Sequence, residues 1–226
     1  MTNKEIVINY CKSNNYDFSI LEKYVNFIEE KNKVMNLTGF YDDKLWGEGI
    51  FESLMYMEKV CKDEENIEIL DIGAGVGFPS IPYVLLNNKN KLTIYEPIQK
   101  RVNFLNEVID MFDISDRVKV VRIRSEEVYE KNIFDLIVAR AVADIRSMLM
   151  SSFHLLKING QMSLIKGQNY ESEIKNASEI LKKLKYDIKV DKLDILNSDK
   201  NNYIVHLTKL RSTPKEFPYK WKDIKK

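Results

Sequence analysis

The sequence predicts an α/β fold, a doubly wound and largely parallel sheet of seven strands whose last strand runs antiparallel, behind a small N-terminal helical extension. Three observations predict it. From residue 66 onward, strand-like and helix-like stretches alternate through five strands. Two strand-like stretches then follow one another with no helix between them, the mark of an antiparallel finish. The first strand ends directly in a glycine-rich turn, as strands do where an open sheet binds ligands.

Each element follows from its own pattern. Residues 1–62 hold no convincing strand: Phe18, Leu21, Tyr24, Val25 and Ile28 recur at helical spacing, and 45–60 carries a second apolar stripe. Asn36-Leu37-Thr38-Gly39 separates the two with cap and turn residues. Residues 67–72 are a short apolar run, as in a buried parallel strand. Residues 92–95 are the next strand, 98–111 an amphipathic helix, and 118–123 and 136–138 further strands. Residues 147–157 read as a helix ended by a left-handed turn at Asn159-Gly160. A fifth strand at 161–165 precedes a charged amphipathic helix over 170–184; strands at 188–193 and 203–208 close the sheet around the polar loop 197–202. The expected division is a helical extension over 1–62, the α/β domain over 63–210 and a basic tail over 211–226.

Composition excludes several classes. At 226 residues, 44% hydrophobic and 31% charged, the chain has the make-up of a soluble globular protein with one good-sized domain. It holds no apolar run long enough to span a membrane, and its N-terminus turns polar too early for a secretory signal, so a cytoplasmic location is expected. Cys11 and Cys61 have no CxxC partner and read as reduced, partly buried thiols. The two histidines, His154 and His206, suit structural roles better than a metal site, and no metal is expected. Net charge is only +1, so any grip on nucleic acid must come from local patches. The last 18 residues offer one, with Lys209, Arg211, Lys215, Lys220, Lys222, Lys225 and Lys226 against Glu216 and Asp223; a solvated, frayed tail is the bland alternative.

The chemistry concentrates after the first strand. Gly73, Gly75 and Gly77 alternate there, and glycine lets backbone approach a ligand closely. Asp71 ends the strand and would face water or a cation such as a methionine amino group. A dinucleotide fingerprint needs a third glycine at residue 78, which is phenylalanine followed by Pro79, so a nicotinamide cofactor does not fit; no Gly-Lys-Ser/Thr follows, which excludes a P-loop. Glu96, at the end of the second strand, can accept hydrogen bonds from both ribose hydroxyls of an adenosine. Ser125-Glu126, past the third strand, can meet an adenine edge or merely cap a helix.

These stretches, with Phe78-Pro79-Ser80-Ile81-Pro82, Lys100-Arg101-Val102-Asn103-Phe104-Leu105, Ala139-Arg140-Ala141-Val142-Ala143 and Lys166-Gly167-Gln168, resemble the ribosomal RNA small subunit methyltransferase G family, also called glucose-inhibited division protein B. Asn36-Leu37-Thr38, Phe134-Asp135 and the tail's Thr213-Pro214-Lys215-Glu216-Phe217-Pro218 extend the resemblance over most of the chain. It implies a seven-stranded Rossmann-like methyltransferase sheet, S-adenosylmethionine as cofactor, and methyl transfer to N7 of a guanine in small-subunit ribosomal RNA; a monomer is expected. Gly73, Phe78, Ser125, Glu126 and Arg140 fall at the family's cofactor positions, and Glu96 fits the same pocket. The chain departs from the family twice: no histidine precedes Glu52-Ser53, and the tail has Pro218-Tyr219-Lys220-Trp221 in place of Pro-Arg-Lys-x-Gly.

Guanine N7 carries an exposed lone pair and needs no general base, so such a reaction rests on proximity and orientation. Arg140, Lys166 and Arg124 each lie at or beyond a strand's carboxyl end and are expected to line the entrance where base meets cofactor. Tyr41, Trp46, Tyr219 and Trp221 are candidates for stacking on unpaired bases, and the tail cations for phosphate contacts. Two other readings stay open: a methyltransferase of small molecules or proteins with the helical extension as its lid, and a non-catalytic ribosome-assembly module.

Overall fold

Short apolar runs must be buried on both faces, and one sheet does this. In a computed structural model, which describes residues 1–62, 64–198 and 200–226, the strands are β1 (Glu68–Ile72), β2 (Lys91–Tyr95), β3 (Val118–Val121), β4 (Phe134–Arg140), β5 (Leu156–Lys166), β6 (Tyr186–Leu193) and β7 (Asn202–Lys209). They lie in the order β3-β2-β1-β4-β5-β7-β6. Strands β1 to β5 are mutually parallel, and β7 is antiparallel to both its neighbours. Alternation along the strands divides the apolar side chains between two clusters: Ile69, Ile94 and Val138 point to one face, Leu70, Tyr95 and Ile137 to the other.

The N-terminal residues roof the first face. Helix α1 (Asn3–Ser13) starts with a capping box, in which the Thr2 hydroxyl accepts from Glu5 N and the Glu5 carboxylate accepts from Thr2 N. Helix α2 (Phe18–Met35) ends at Asn36 in the left-handed conformation, φ 47°. The buried Asn32 side chain then fixes the following turn: its Oδ1 accepts from Leu37 N (2.6 Å) and Thr38 N (3.0 Å), and its Nδ2 donates to Thr38 O (2.9 Å). A single turn, α3 (Asp42–Lys44), runs through a π-helical segment (Leu45–Phe51) into α4 (Glu52–Cys61). Helices α5 (Ser80–Leu86) and α6 (Gln99–Phe112) complete this layer. Leu21, Ile50, Leu54, Ile81 and Phe104 join the sheet's first cluster, so the N-terminal helices and the sheet share one apolar core.

The second face is covered by α7 (Ile145–Ser152), α8 (Tyr170–Asn176), α9 (Ser178–Leu181) and the C-terminal segment with α10 (Trp221–Ile224). That segment is not frayed. Phe217 is 2% exposed and Ile224 5%; Tyr219 N donates to Met150 O (3.0 Å) and Arg146 to Ile224 O (3.0 Å). Burying a phenylalanine stabilises by about 1.5–3 kcal/mol, which together with these bonds contributes to docking the segment on the second face.

Several boundaries differ from the sequence expectation. The helix expected over 147–157 is α7, which ends at Ser152; a 3-10 turn (Phe153–Leu155) follows, and β5 has begun by Leu156. Asn159 does have positive φ, 67°, but inside β5, where its pairing with β4 shifts register rather than at a helix end. A Cβ at Gly160 would lie 2.7 Å from Asp135 O, so the glycine serves close strand approach. The expected helix over 170–184 is broken at Ala177 into α8 and α9. In the expected loop 197–202, Asn202 belongs to β7 and position 199 lies outside the described residues. Lys209, counted above with the tail's surface cations, is 0% exposed at the end of β7. Its ammonium donates to Asn132 Oδ1 (2.9 Å) and to the carbonyls of Phe153 (3.3 Å), His154 (3.2 Å) and Leu156 (2.5 Å). Both histidines are buried and structural in position: His154 Nε2 meets Val128 O at 2.6 Å and His206 Nδ1 meets Ser163 Oγ at 2.9 Å. Cys11 and Cys61 are free and buried.

Candidate functional site

Strand order reverses between β1 and β4, and open sheets of this kind bind ligands outside the carboxyl ends at that reversal. Three cavities open there, of about 450, 430 and 270 Å³. All three are lined by Ala141, which leaves β4 with a positive φ of 55° and so turns the chain sharply outward.

The glycine loop forms the wall shared by the second and third cavities. Gly75 has φ 64°, and a Cβ there would meet nothing within 4 Å: the open space is the second cavity itself. Gly77 is required for a different reason, since a Cβ would press on Ile81 (2.4 Å) and the Tyr24 hydroxyl (2.7 Å). That hydroxyl donates to Val76 O and ties the loop to α2. Gly73 borders both cavities.

Asp71 does not face a cavity. It is 0% exposed, and its Oδ2 accepts from Ser80 Oγ (2.5 Å) and Ser80 N (3.3 Å), while Oδ1 has no partner. Burial raises its pKa to about 7 against the opposing pull of the Ser80 donors and of Arg140. The acid therefore anchors the start of α5 beneath the loop. Glu96 lines the third cavity and is 1% exposed; its Oε2 accepts from Gly75 N (3.1 Å), its Oε1 from Ile98 N (3.0 Å), and Arg101 stands 3.8 Å away. Ser125 and Glu126 line the same cavity, and Glu126 Oε1 is buried with no hydrogen-bond partner. A buried carboxylate oxygen without a donor is a costly arrangement that an amino group in the cavity would relieve.

Arg140 ends β4 on the boundary of the first and second cavities. Its guanidinium donates to Glu48 O (2.6 Å) and Glu52 Oε1 (3.2 Å), and lies 5.0 Å from the Phe78 ring and 5.5 Å from Phe40. Burial pulls the Arg140 pKa down, and Glu52 opposes that pull. Glu52 is also held by Asn202, whose Nδ2 donates to Oε2 at 2.8 Å. The π-helical segment contributes here: its wider turn leaves carbonyls reachable, and Arg140 takes that of Glu48 while Ser53 Oγ takes that of Gly49 (2.5 Å). Lys166 lines the first cavity but is not a free cation, since it donates to Ala143 O (2.5 Å) and pairs with Glu173 (2.8 Å).

The structure thus brings Arg140 and Lys166 to one cavity and places Arg124 in the third, which Glu96 also lines, with its guanidinium 4.7 Å from the Trp221 ring. Of the aromatics, Trp46 is 6% exposed and stacks on Phe18, so it is core; Tyr41 and Trp221 are exposed. Phe40, Glu52 and Asn202 were not foreseen as site residues. Glu52 gave one signal, a carboxylate inside an apolar stripe, which needs a partner when buried.

A family model described as GidB, rRNA small subunit methyltransferase G, matches residues 17–201. The ribosomal RNA small subunit methyltransferase G of Mycoplasmopsis pulmonis is 40% identical over 213 residues, covering 91% of this chain and 90% of that protein. Its namesake in Mesomycoplasma hyopneumoniae (strain J) is 41% identical over 167 residues, 71% of this chain and 80% of that one. Among solved structures, M. jannaschii TYW2 in complex with AdoMet matches with a TM-score of 0.56 at 20% identity, over 74% of this chain and 78% of that one, a likeness of fold. No helix among the described residues is long and apolar enough to cross a membrane.

Proposed function

The chain belongs to the rRNA small subunit methyltransferase G family, and from that premise we propose that it transfers the methyl group of S-adenosylmethionine to N7 of a guanine in small-subunit (16S) ribosomal RNA. It does so as a monomer in the cytoplasm, as a step of ribosome biogenesis. The carrying observation is the set of three cavities that meet at Ala141, on the ligand-binding edge of the sheet.

The second and third cavities fit the cofactor. Gly73, Gly75, Gly77 and Phe78 shape the loop against which its methionine end lies; Glu96 meets the ribose, and Ser125 with Glu126 the adenine edge, where the unpartnered Glu126 oxygen accepts from an amino group. Asp71 acts through Ser80 as a positioning residue. When bound, S-adenosylmethionine supplies an electrophilic methyl on a sulfonium.

The first cavity receives the base. N7 is already nucleophilic, so the chain's work is alignment, and a locked side chain aligns better than a mobile one. Arg140 is locked by Glu48 and Glu52 where it can reach guanine O6 or the cofactor carboxylate. Lys166, paired with Glu173, positions the 141–143 turn through Ala143 O. The ring becomes positive as N7 is methylated; the Glu52 and Glu173 carboxylates on the cavity wall balance the two cations and make that charge tolerable. Arg124 belongs to the cofactor side. We read residues 1–62 as a docked helical extension, 63–210 as the methyltransferase domain and 211–226 as a basic tail.

The test uses small ribosomal subunits from a strain lacking this gene, purified protein and S-adenosylmethionine labelled in its methyl group. Digested RNA should carry label in 7-methylguanosine, and Arg140→Ala should abolish it. Protein that binds the cofactor but labels neither subunits nor extracted RNA would sink the proposal.

A further inference from the structure

We infer that the C-terminal segment is a wall of the adenosine cavity, with Trp221 a cofactor-binding residue; this rests on the methyltransferase reading above. The third cavity has a sheet side, with Glu96 and Ile98, and a facing side formed by α7 and the tail, where Trp221 and Ile224 contribute. Its apolar surface is unusual. Ile98 (41% exposed), Val142 (41%) and Trp221 (45%) are among the large hydrophobic side chains left open to water, and all three line this one cavity. Apolar surface gathered in a concavity around a few polar groups is what a flat, partly polar ligand covers. Adenine is such a ligand, with an amino group for Glu126.

The tail can serve as a wall because it is fixed. Phe217 and Ile224 are buried, Tyr219 is bonded to Met150 O, and Arg146 holds Ile224 O, so Trp221 is presented from an anchored turn. The Arg124 guanidinium lies 4.7 Å from the Trp221 ring and the Lys225 ammonium 4.8 Å from it. Arg124 and Trp221 together join β3's end to the chain's last helix across the cavity mouth. The cations on this segment can still face RNA, but the indole belongs to the cofactor.

The experiment is calorimetric titration of the full-length protein with S-adenosylhomocysteine, for wild type, Trp221→Ala and Trp221→Phe. Losing the indole wall should raise the dissociation constant about 5- to 10-fold, and phenylalanine should restore it to within about two-fold. The KM for RNA should change less than the KM for S-adenosylmethionine. Should the alanine variant prove unstable, wild-type tryptophan fluorescence gives a second readout: Trp46 is already core, so Trp221 should shift on saturation with S-adenosylhomocysteine. Unchanged affinity in Trp221→Ala, a rise in KM for RNA alone, or a silent fluorescence titration each overturns the assignment while leaving the methyltransferase reading intact. Wild-type protein that fails to bind S-adenosylhomocysteine overturns both.

Discussion

Asp71→Asn should stabilise the protein at alkaline pH while leaving it nearly unchanged in acid. The Asp71 carboxyl is fully buried, its Oδ1 has no partner, and its pKa is raised to about 7, chiefly by burial. In the unfolded chain the same group titrates near 3.9, so between roughly pH 4 and pH 7 the native state holds a proton that the unfolded state has released. Stability from this group is fully present below about pH 4 and is lost as pH rises through about 7. At about 1.4 kcal/mol per unit over about 3 units, the carboxylate costs up to about 4 kcal/mol at pH 8. Asparagine keeps an oxygen for the two Ser80 donors and never ionises. Urea unfolding of both proteins from pH 4 to 9 measures the difference, and the subtraction removes what the rest of the chain contributes, including His154 and His206, whose burial lowers each to about 4. The variant's advantage should grow from near zero at pH 4 to about 2–4 kcal/mol at pH 8 and then level off. A flat difference, or a wild type that gains on the variant as pH rises, would refute the reasoning: the carboxylate would then have a cationic partner, and Arg140 is the cation among the groups that influence it.

Glu52→Ala leaves Arg140, whose side chain is 11% exposed, with only the Glu48 carbonyl, and should cost about 3–5 kcal/mol of stability in urea melts. The double variant with Arg140→Ala should be less destabilised than the two losses added together; additive losses would mean that the pair is not coupled. Lys209→Met removes the donor from three carbonyls and should destabilise by about 2 kcal/mol near pH 7. Burial lowers the Lys209 ammonium to about 8, so wild type should gain further on that variant as pH rises from 8 towards 10; parallel curves would contradict this. Replacing the exposed Lys220 and Lys222 by Gln should lower the salt slope of RNA binding by about 1–1.5 without altering S-adenosylhomocysteine affinity, and an unchanged slope would remove these lysines from the RNA face.

The sheet was legible because its central strands β1 and β4 are largely buried and apolar, and because glycines alternate at 73, 75 and 77 directly after β1. Boundaries failed where a local pattern had two tertiary meanings. Asn159-Gly160 looks the same as a helix end and as a strand irregularity, and only the pairing of β4 with β5 decides between them. Helix α1 carries a weak apolar stripe and was missed, although Thr2 and Glu5 spell a capping box. Lys209 was misread as a surface cation, since nothing in its neighbours shows that four acceptors converge there from residues about 53 to 77 positions away. In the candidate site, the cavity position of the loop and Glu96 was readable from their place after strands, whereas Glu48 and Glu52, the partners of Arg140, lie 92 and 88 residues from it, and Asn202, which holds Glu52, lies 150 residues from Glu52; these groups meet only in the folded chain.

That meeting also shapes the first cavity. Arg140 comes from the sheet, Glu48 and Glu52 from the helical layer, and Asn202 from the start of β7. Separating the layers would break the Arg140–Glu52 ion pair and the bond of Arg140 to the Glu48 carbonyl. The helical layer also shares its apolar core with β1, β2 and β4. A lid that opens on each turnover would have to break both, so the contacts make residues 1–62 a docked wall of the first cavity. For a displacement in which the nucleophile needs no activation and the rate depends on alignment, a preformed wall is the more effective device. The opposite side is preformed in the same way, since the segment that presents Trp221 to the third cavity is anchored by Phe217, Ile224 and the bonds of Tyr219 N and Arg146.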